Sequence, residues 1–221
     1  MASATPGLRV CPGPPEFSSP PSAIAKPELT SVRSPNFDDR GNPPSTVDSI
    51  VMHTTQTSLE NTLRLFGGAA STSAHFVIAE NGDIYQMVDT EDRAYHATYY
   101  NSRSIGIEMV GTYMNPSMWN DENLGALVEL MSWIVSAYPD IPVTHPSGDA
   151  YDFGNDRFDV AGIVAHGQVQ PWNRGDPGRF FPWDDVLGDV AARLAAVPEP
   201  SSVLLLSLGC IGFLVRRKPV A

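Results

Sequence analysis

The sequence has few cysteines and few basic residues, and each shortage argues against a class of protein. Only two of the 221 residues are cysteine, Cys11 and Cys210, and they lie near opposite ends of the chain. We therefore expect neither a disulfide framework nor a cysteine-based zinc site. Lysine and arginine number 14 against 25 aspartates and glutamates, which gives a formal net charge of -11 at pH 7. An acidic chain without a basic stripe is not expected to bind nucleic acid.

The chain also lacks a long apolar run near its start. Residues 1–45 are instead rich in proline, serine and glycine, a composition that forms cores poorly. We expect this lead-in to be extended and mostly disordered. Because no basic segment followed by an apolar segment is visible there, the sequence predicts no secretory signal peptide. No internal repeat is apparent, and 221 residues fit a single domain with tails.

Residues 197–221 form a tail of distinct composition. Val-Pro-Glu-Pro comes first, an apolar run follows over residues 203–215, and Arg-Arg-Lys stands at 216–218. The apolar run is shorter than the roughly 20 residues that span a bilayer unaided. Counted from Ser201, the segment is long enough for a thin membrane with the basic residues on the cytoplasmic side. A helix docked on the domain is the alternative, and the basic cluster disfavours it.

Between these tails, residues 46–196 alternate the periodicities of strands and helices. The patterns predict strands at Ile50–Met52 and Ile105–Met109, a hairpin around Asn81–Gly82, and helices from Leu59 to about Phe66, from Asp121 to about Tyr138 and from Trp183 to Ala196. Residues 140–160 contain prolines, glycines and many aspartates, so we expect a long irregular insert there.

The run from His166 to Gly178 is the most informative stretch. Its two prolines and three glycines argue against a regular helix and predict a shaped loop. The run offers His166 and, ten residues later, Asp176. A catalytic zinc ion takes roughly three protein ligands and leaves one position for water. His53 ends a short apolar strand and is the candidate for the third ligand.

Five stretches resemble a known family and follow one order in the chain. They are Ile50–Thr55, Ser73–Ile78, Tyr95–Ala97, Asn101 with Ser104–Glu108, and His166–Gly178 with Phe181–Trp183. Over about residues 46–196 the pattern is similar to that of the zinc-dependent N-acetylmuramoyl-L-alanine amidases of the type 2 class. Phage lysozyme-like amidases and peptidoglycan recognition proteins are related to this class. The tail is similar to a PEP-CTERM sorting signal, which an exosortase processes at the cell envelope.

The resemblance implies an α/β fold, with a mixed central β-sheet flanked by helices and a zinc site at the sheet edge. It implies that the zinc ligands are His53, His166 and Asp176. Glu108 would be the general base and Arg174 would stabilise the oxyanion. Family members often carry lysine at the position of Arg174, and arginine can act there only as a fixed cation.

The remaining histidines and several aromatic residues receive less specific predictions. His96 and Asn101 are expected to line the substrate groove. We expect His75 in the core or behind the ligands, and His145 on the surface. Three aromatic residues are candidates either for stacking against sugar rings or for packing: Trp172, Tyr99 and Tyr100.

The resemblance implies zinc-dependent hydrolysis of the amide between N-acetylmuramic acid and L-alanine, in peptidoglycan or muropeptides. We expect a monomer at the cell envelope, with an exosortase acting on its tail. Three alternatives stay open: a peptidoglycan-binding module without catalysis, an envelope protein with a vestigial domain, and a cytoplasmic amidase that recycles anhydro-muropeptides. The last follows from the missing signal peptide, which conflicts with a sorting tail.

Overall fold

The computed structural model describes residues 17, 22–41, 45–152 and 157–197. Within these ranges the chain forms eight strands and four α-helices. In chain order they are β1 (Thr30–Ser31), β2 (Phe37–Asp39), β3 (Ser49–Thr54), α1 (Leu59–Phe66), β4 (Phe76–Ile78), β5 (Ile84–Gln86), β6 (Asp92–Ala94), β7 (Ser104–Met109), α2 (Asp121–Ala137), β8 (Gly162–Ala165), α3 (His166–Val169) and α4 (Trp183–Ala195). Two short 3-10 segments lie at Thr98–Arg103 and Pro116–Met118.

Six of the strands form one mixed sheet in the order β1-β5-β4-β7-β3-β8. Strand β3 runs parallel to both of its neighbours, β7 and β8, and every residue of β3 is buried. Strand β4 is parallel to β7 and antiparallel to β5. A separate antiparallel pair joins β2 to β6. The prediction of a mixed central sheet flanked by helices is therefore confirmed.

One face of the sheet packs against α2 and α4. Alternate residues of β3 and β7 point into this core, because side chains along a strand alternate between the two faces of the sheet. The strand residues involved are Ile50, Met52, Ile105, Ile107 and Met109. Helix α2 begins with a reciprocal capping box between Asn120 and Asn123, which satisfies two backbone N–H groups at its start.

The opposite face carries the residues that fall between these positions. Val51 lies there in a smaller cluster with Tyr100 and Phe158. His53 follows Val51 by two residues and is buried on the same face, beside Glu108 in the register of β3 and β7. The face away from α2 thus contains the polar residues of the central strands.

The structure differs from the expected disordered lead-in over residues 22–41. Strand β1 extends the sheet beside β5, and β2 pairs with β6. Arg40 is buried, and its guanidinium donates hydrogen bonds to the carbonyl oxygens of Thr90, Asn101, Ser102 and Ser104. Composition underestimates the order of this segment because a few specific contacts hold it in place: the hydrogen bonds of Arg40 and the packing of Ile24, Leu29 and Val32 against the core. Burial lowers the pKa of Arg40 to about 10, so it is still charged at neutral pH.

Two further local predictions need correction. The run from His166 begins with one helical turn, α3, before it becomes a loop, because both of its prolines lie beyond that turn. His145 was expected on the surface but is half-buried. Its ring stacks on Trp183 with centroids 3.6 Å apart, and its Nδ1 lies 2.9 Å from the carbonyl oxygen of Ile163.

The predicted tail beyond Val197 and both cysteines lie outside the described residues. Among the residues that the structure does describe, no helix is both long enough and apolar enough to cross a membrane.

Candidate metal centre

The carboxyl ends of neighbouring strands bring the predicted ligands together. His53 is the fifth residue of β3, and His166 directly follows β8, which lies beside β3. Asp176 reaches the same point from the loop after α3. One potential ligand atom from each of these buried residues lies within 4.8 Å of the others. The three residues can therefore hold a metal ion.

The loop that carries Asp176 is held closed over α3. The N–H of Gly167 donates to the carbonyl oxygen of Asp176 at 3.0 Å. Tyr113 packs against the far side of the loop, where a Cβ on Gly175 or Gly178 would come within 3.0 or 2.8 Å of its side chain. Glycine at these two positions lets the loop approach Tyr113 and aim Asp176 at the histidines.

The three ligand atoms form a compact triangle. The two histidine Nδ1 atoms are 2.8 Å apart, and Asp176 Oδ2 lies 3.2 Å from His166 Nδ1 and 3.5 Å from His53 Nδ1. In a tetrahedral zinc site with bonds near 2.1 Å, neighbouring ligand atoms are about 3.4 Å apart. The donor set and its spacing therefore fit a zinc ion.

Hydrogen bonding on the far side of His166 leaves its Nδ1 free to bind a metal. The Nε2 atom lies 2.9 Å from the side-chain oxygen of Gln170, which accepts a hydrogen bond but cannot donate one. The proton of the neutral imidazole is therefore on Nε2, and the lone pair on Nδ1 points into the triangle. Metal-binding histidines commonly make such an outer hydrogen bond.

A longer chain of hydrogen bonds has the same effect on His53. The hydroxyl of Ser104 donates to the carbonyl oxygen of Tyr100 at 2.7 Å, so its oxygen accepts from His96 Nε2 at 3.4 Å. His96 Nδ1 then accepts from His53 Nε2 at 3.0 Å. Burial, followed by the proximity of His53, holds the pKa of His96 well below its usual range, which keeps this ring neutral. His53 is left with an unprotonated Nδ1.

Gly106 on β7 makes room for the His96 ring. A Cβ at this position would lie 2.6 Å from His96 Cγ, closer than real carbon atoms approach. The backbone of His96 is held by Asn101, whose side-chain oxygen accepts from the N–H groups of His96 and Ala97 at 3.0 and 2.6 Å. Ring and backbone of His96 are thus both fixed.

The substrate contacts predicted for His96 and Asn101 stay predictions, and the structure shows other contacts for both residues. His96 does line the cavity beside the metal centre, but it also contacts His53. Asn101 is not among the cavity residues, and its side-chain oxygen is occupied by backbone N–H groups. His75 lies behind His96 as expected, fully buried, and accepts from the N–H of Gly106 at 2.9 Å.

The ionisation of Asp176 and His53 suits a cation between them. Burial alone would raise the pKa of Asp176, but its closeness to the His166 and His53 rings outweighs burial and holds the pKa well below its usual range. Burial, with the neighbouring His166, lowers the pKa of His53 to about 4. An ionised carboxylate beside neutral imidazoles is the state that binds a divalent ion.

Glu108 lies next to His53 across the β3–β7 register and lines the same cavity. Its Oε2 atom is buried and has no hydrogen-bond partner among the described residues. Burial, reinforced by the charge of Asp176 and opposed by Arg174, raises the pKa of Glu108 to about 8. A carboxylate with these properties binds a proton near neutral pH.

The cavity has a volume of about 260 Å³ and opens at the metal centre. Arg174 lies at its exposed rim. The rest of the wall consists of hydroxyl, amide and apolar side chains: Thr54, Thr55, Gln56, Thr57, Thr62, Leu65, Phe66 and Thr72. A larger groove of about 1240 Å³ lies along α2 and α4, but none of the residues of the metal centre line it.

Sequence reasoning missed the residues that orient the ligands. Gln170 follows His166 by four residues, and that helical spacing could have indicated the contact. Gly106 and Ser104 gave no comparable signal, because their contacts with His96 cross from β7 to a separate segment.

A mixed-sheet α/β domain with a buried His-His-Asp group beside a partly buried glutamate has the features of a metal-dependent hydrolase. The sequence profile of the N-acetylmuramoyl-L-alanine amidase family matches residues 43–179. The chain belongs to this family, whose enzymes are zinc-dependent, and it is an N-acetylmuramoyl-L-alanine amidase. A second profile, the PEP-CTERM protein-sorting motif, matches residues 196–218.

Individual relatives agree with this family. N-acetylmuramoyl-L-alanine amidase A of Achromobacter lyticus is 30% identical over 140 residues, which cover 62% of this chain and 79% of that protein. The 1,6-anhydro-N-acetylmuramyl-L-alanine amidase AmpD of Haemophilus influenzae is 29% identical over 194 residues, covering 74% and 92%. A crystal structure of a selenomethionine AmpD derivative has the same fold, with a TM-score of 0.57 at 24% identity over 78% of this chain and 95% of that one.

Proposed function

We propose that His53, His166 and Asp176 hold a zinc ion, with which the chain hydrolyses the amide bond between N-acetylmuramic acid and L-alanine. The observation that carries this proposal is the triangle of two unprotonated Nδ1 atoms and one carboxylate oxygen, with sides of 2.8, 3.2 and 3.5 Å. When bound there, zinc would polarise the scissile carbonyl and lower the pKa of a water molecule to about 7.

Glu108 is the proposed general base. Its carboxylate shares the cavity with the ligands, and one of its oxygens has no partner in the described structure. It would take a proton from the attacking water and pass that proton to the departing nitrogen. The raised pKa of Glu108 supports such a role, because a proton carrier works best when its pKa is close to the working pH.

Arg174 is the proposed stabiliser of the negative charge that develops on the carbonyl oxygen. It lies at the exposed rim of the cavity, where its charge can face a bound substrate. Since arginine does not deprotonate in proteins, we assign it no part in proton transfer.

His96 and Asn101 receive positioning roles in this proposal. His96 would fix the tautomer of His53 and, because it also lines the cavity, would form part of the substrate wall. Asn101 would hold the His96 backbone rather than touch substrate. A monomeric enzyme is also part of the proposal. Residues 22–41 belong to the amidase domain, since Arg40 is buried within it.

The sorting motif at residues 196–218 supports export, and processing of the tail by an exosortase at the cell envelope. Peptidoglycan is the substrate available there. A second candidate is the cleavage of 1,6-anhydro-N-acetylmuramyl peptides, which the similarity to AmpD of Haemophilus influenzae favours. Attachment of the tail to a membrane is also part of the proposal.

The test combines metal analysis with a cleavage assay on the purified full-length chain. We expect about one zinc per chain, together with the release of free L-alanine amino termini from soluble muropeptides. His166→Ala should lose both properties, because it removes one corner of the triangle. His145→Ala is the matched control: this histidine stacks on Trp183 away from the cavity, so the variant should retain zinc and activity.

Two outcomes would contradict the proposal. Zinc without cleavage of any muropeptide would favour a peptidoglycan-binding module. Absence of zinc from the wild-type protein after zinc loading would mean that the buried histidines serve the fold alone.

A further inference from the structure

Two exposed aromatic side chains, Tyr151 and Trp172, contact each other. The large hydrophobic side chains that are strongly exposed in the described structure are Leu65, Met114, Tyr151 and Trp172. Tyr151 and Trp172 are 56% and 46% exposed, yet their ring centroids lie 6.2 Å apart at an angle of 64°. A single exposed hydrophobic residue needs no special explanation, whereas a contacting aromatic pair indicates a binding surface.

Trp172 lies on the loop after α3, which carries the proposed metal ligand Asp176. It stands two residues before Arg174, which lines the cavity. The turn that presents Trp172 is fixed, because the N–H groups of Asn173 and Arg174 donate to the carbonyl oxygen of Gln170 at 3.2 and 3.0 Å. The side chain of Gln170 in turn contacts His166, so Trp172 is tied to the metal centre.

Tyr151 is presented by a second fixed turn, in the irregular insert. Its N–H donates to the Asp149 side chain at 2.9 Å. The N–H of Ala150 donates to the carbonyl oxygen of Gln168 on α3 at 2.9 Å. The Gln168 amide also donates to the carbonyl oxygens of Pro146 and Gly148 at 2.6 and 2.8 Å. The backbone turns that present the two rings are therefore held beside α3 by hydrogen bonds, while Tyr151 and Trp172 are each about half exposed.

The area of the pair decides what kind of ligand it suits. A buried Tyr or Trp contributes about 150–250 Å², so two half-exposed rings offer about 200 Å² in total. A stable protein interface needs about 800 Å² per partner, which is far more. An area of this size matches one or two pyranose rings. The apolar C–H face of a sugar packs on aromatic faces while its hydroxyl groups stay in water.

We propose that Tyr151 and Trp172 form a stacking platform for an N-acetylhexosamine residue of a glycan strand. This inference rests on the proposed function only for placing a muramyl residue at the cavity; the platform holds a sugar farther along the same strand. The preferred substrate is then polymeric peptidoglycan rather than a free muropeptide. The rigid turns reduce the entropic cost of binding, because both rings are already in place.

The first test measures sugar binding without catalysis. Isothermal titration calorimetry of the full-length zinc-loaded protein uses the tetramer of β-1,4-linked N-acetylglucosamine as the probe. Trp172→Ala and Tyr151→Ala should each weaken binding by about threefold to tenfold, the worth of one aromatic contact. Met114→Ala is the matched control, since it removes a large exposed side chain outside the pair. No measurable binding by the wild type, or equal loss in the control, would overturn the platform.

The second test compares two substrates. Trp172→Ala should raise KM on polymeric peptidoglycan and leave KM on a soluble muropeptide unchanged, with kcat and zinc content preserved. Trp172→Phe keeps an aromatic face and should retain most of the affinity for the polymer. If Trp172→Ala raises KM equally for both substrates, Trp172 shapes the loop instead, and the proposal fails. If the wild type cleaves neither substrate, the amidase proposal fails, while the titration still decides the platform.

Discussion

The two faces of the central sheet are built from the same strands but by different rules. On the α2 face, Ile105 and Ile107 of β7 pack in an aliphatic core. On the other face, Gly106 and Glu108 of the same strand border the metal centre. Alternation along the strand puts neighbouring residues on opposite faces, one face for the core and one for the polar network.

The difference lies in how each face responds to change. Aliphatic contacts are numerous and non-directional, so the loss of one methylene group costs about 1 kcal/mol and leaves the rest intact. Hydrogen bonds on the metal face are directional, and each proton position depends on the next, from Ser104 through His96 to His53. We therefore expect graded effects from the α2 face and linked losses from the metal face.

Replacing Arg40 should have the largest effect on stability. Such an effect would show that polar contacts stabilise the fold as well as supporting function. Arg40→Met leaves two buried and two partly buried carbonyl oxygens without their donor, so it should lower the free energy of unfolding by about 3–5 kcal/mol in urea denaturation. Arg93→Met is the control: Arg93 pairs with Asp38 at the surface, and its loss should cost less than about 1 kcal/mol. Equal effects would mean that Arg40 is not an anchor.

In the metal-free protein, ionisation of Glu108 should lower the free energy of unfolding. Its pKa is 4.5 in an unfolded chain and about 8 in the fold, so the folded state loses stability as pH rises from 4.5 to 8. Glu108→Gln removes this loss. The metal-free variant should be more stable than the wild type by a few kcal/mol at pH 8.5, below the ceiling of about 4.6 kcal/mol that the two pKa values set, with little difference at pH 4.

Thermal unfolding in chelator at the two pH values measures this effect. An equal gain at both pH values would show that the gain does not come from ionisation. A gain at neither would mean that water reaches the carboxylate freely.

The sequence predicts the α2 face better than the metal face, for a physical reason. Periodic apolar residues identify β3, β7, α2 and α4, because burial selects residue type at every second or every third to fourth position. Strands of two or three residues such as β1 and β2 are too short to show a period. Their order depends partly on Arg40, whose partners are backbone carbonyls with no residue-type signal.

The same reasoning explains which residues of the site could be predicted from the sequence. The structure brings His53, His166 and Asp176 together as the sequence predicts, because few residue types bind zinc and proline and glycine mark the loop. The orienting contacts of His96 could not be predicted, since no periodic pattern links His96 to Ser104 and Gly106 on β7 or to His53, which lies 43 positions earlier in the chain. Asn101 resembled a substrate residue in sequence, but its side chain holds backbone N–H groups.

Gly106→Ala, on the metal face, should weaken zinc binding. The added Cβ would meet the His96 ring at 2.6 Å and displace the partner of His53. Loss of such an outer partner typically lowers zinc affinity about 10- to 100-fold, which competition with a chromophoric chelator measures. The neighbouring Ile107→Val changes the α2 face and should cost about 1 kcal/mol of stability while affinity stays constant. Unchanged affinity in Gly106→Ala would show that His96 does not orient the ligand.

A glycine-to-alanine substitution in α2, Gly125→Ala, should have the smallest effect on stability. Gly125 lies in the first turns of α2, and a Cβ there would meet no atom within 4 Å. Glycine in a helix interior is less favourable than alanine by about 0.5–1 kcal/mol, so Gly125→Ala should raise the free energy of unfolding by that amount. Zinc affinity should not change. A loss of stability, measured by the same urea denaturation, would show that α2 needs the open surface at Gly125. A change in zinc affinity would mean that Gly125 is coupled to His96 through the sheet. The two faces would then not be independent.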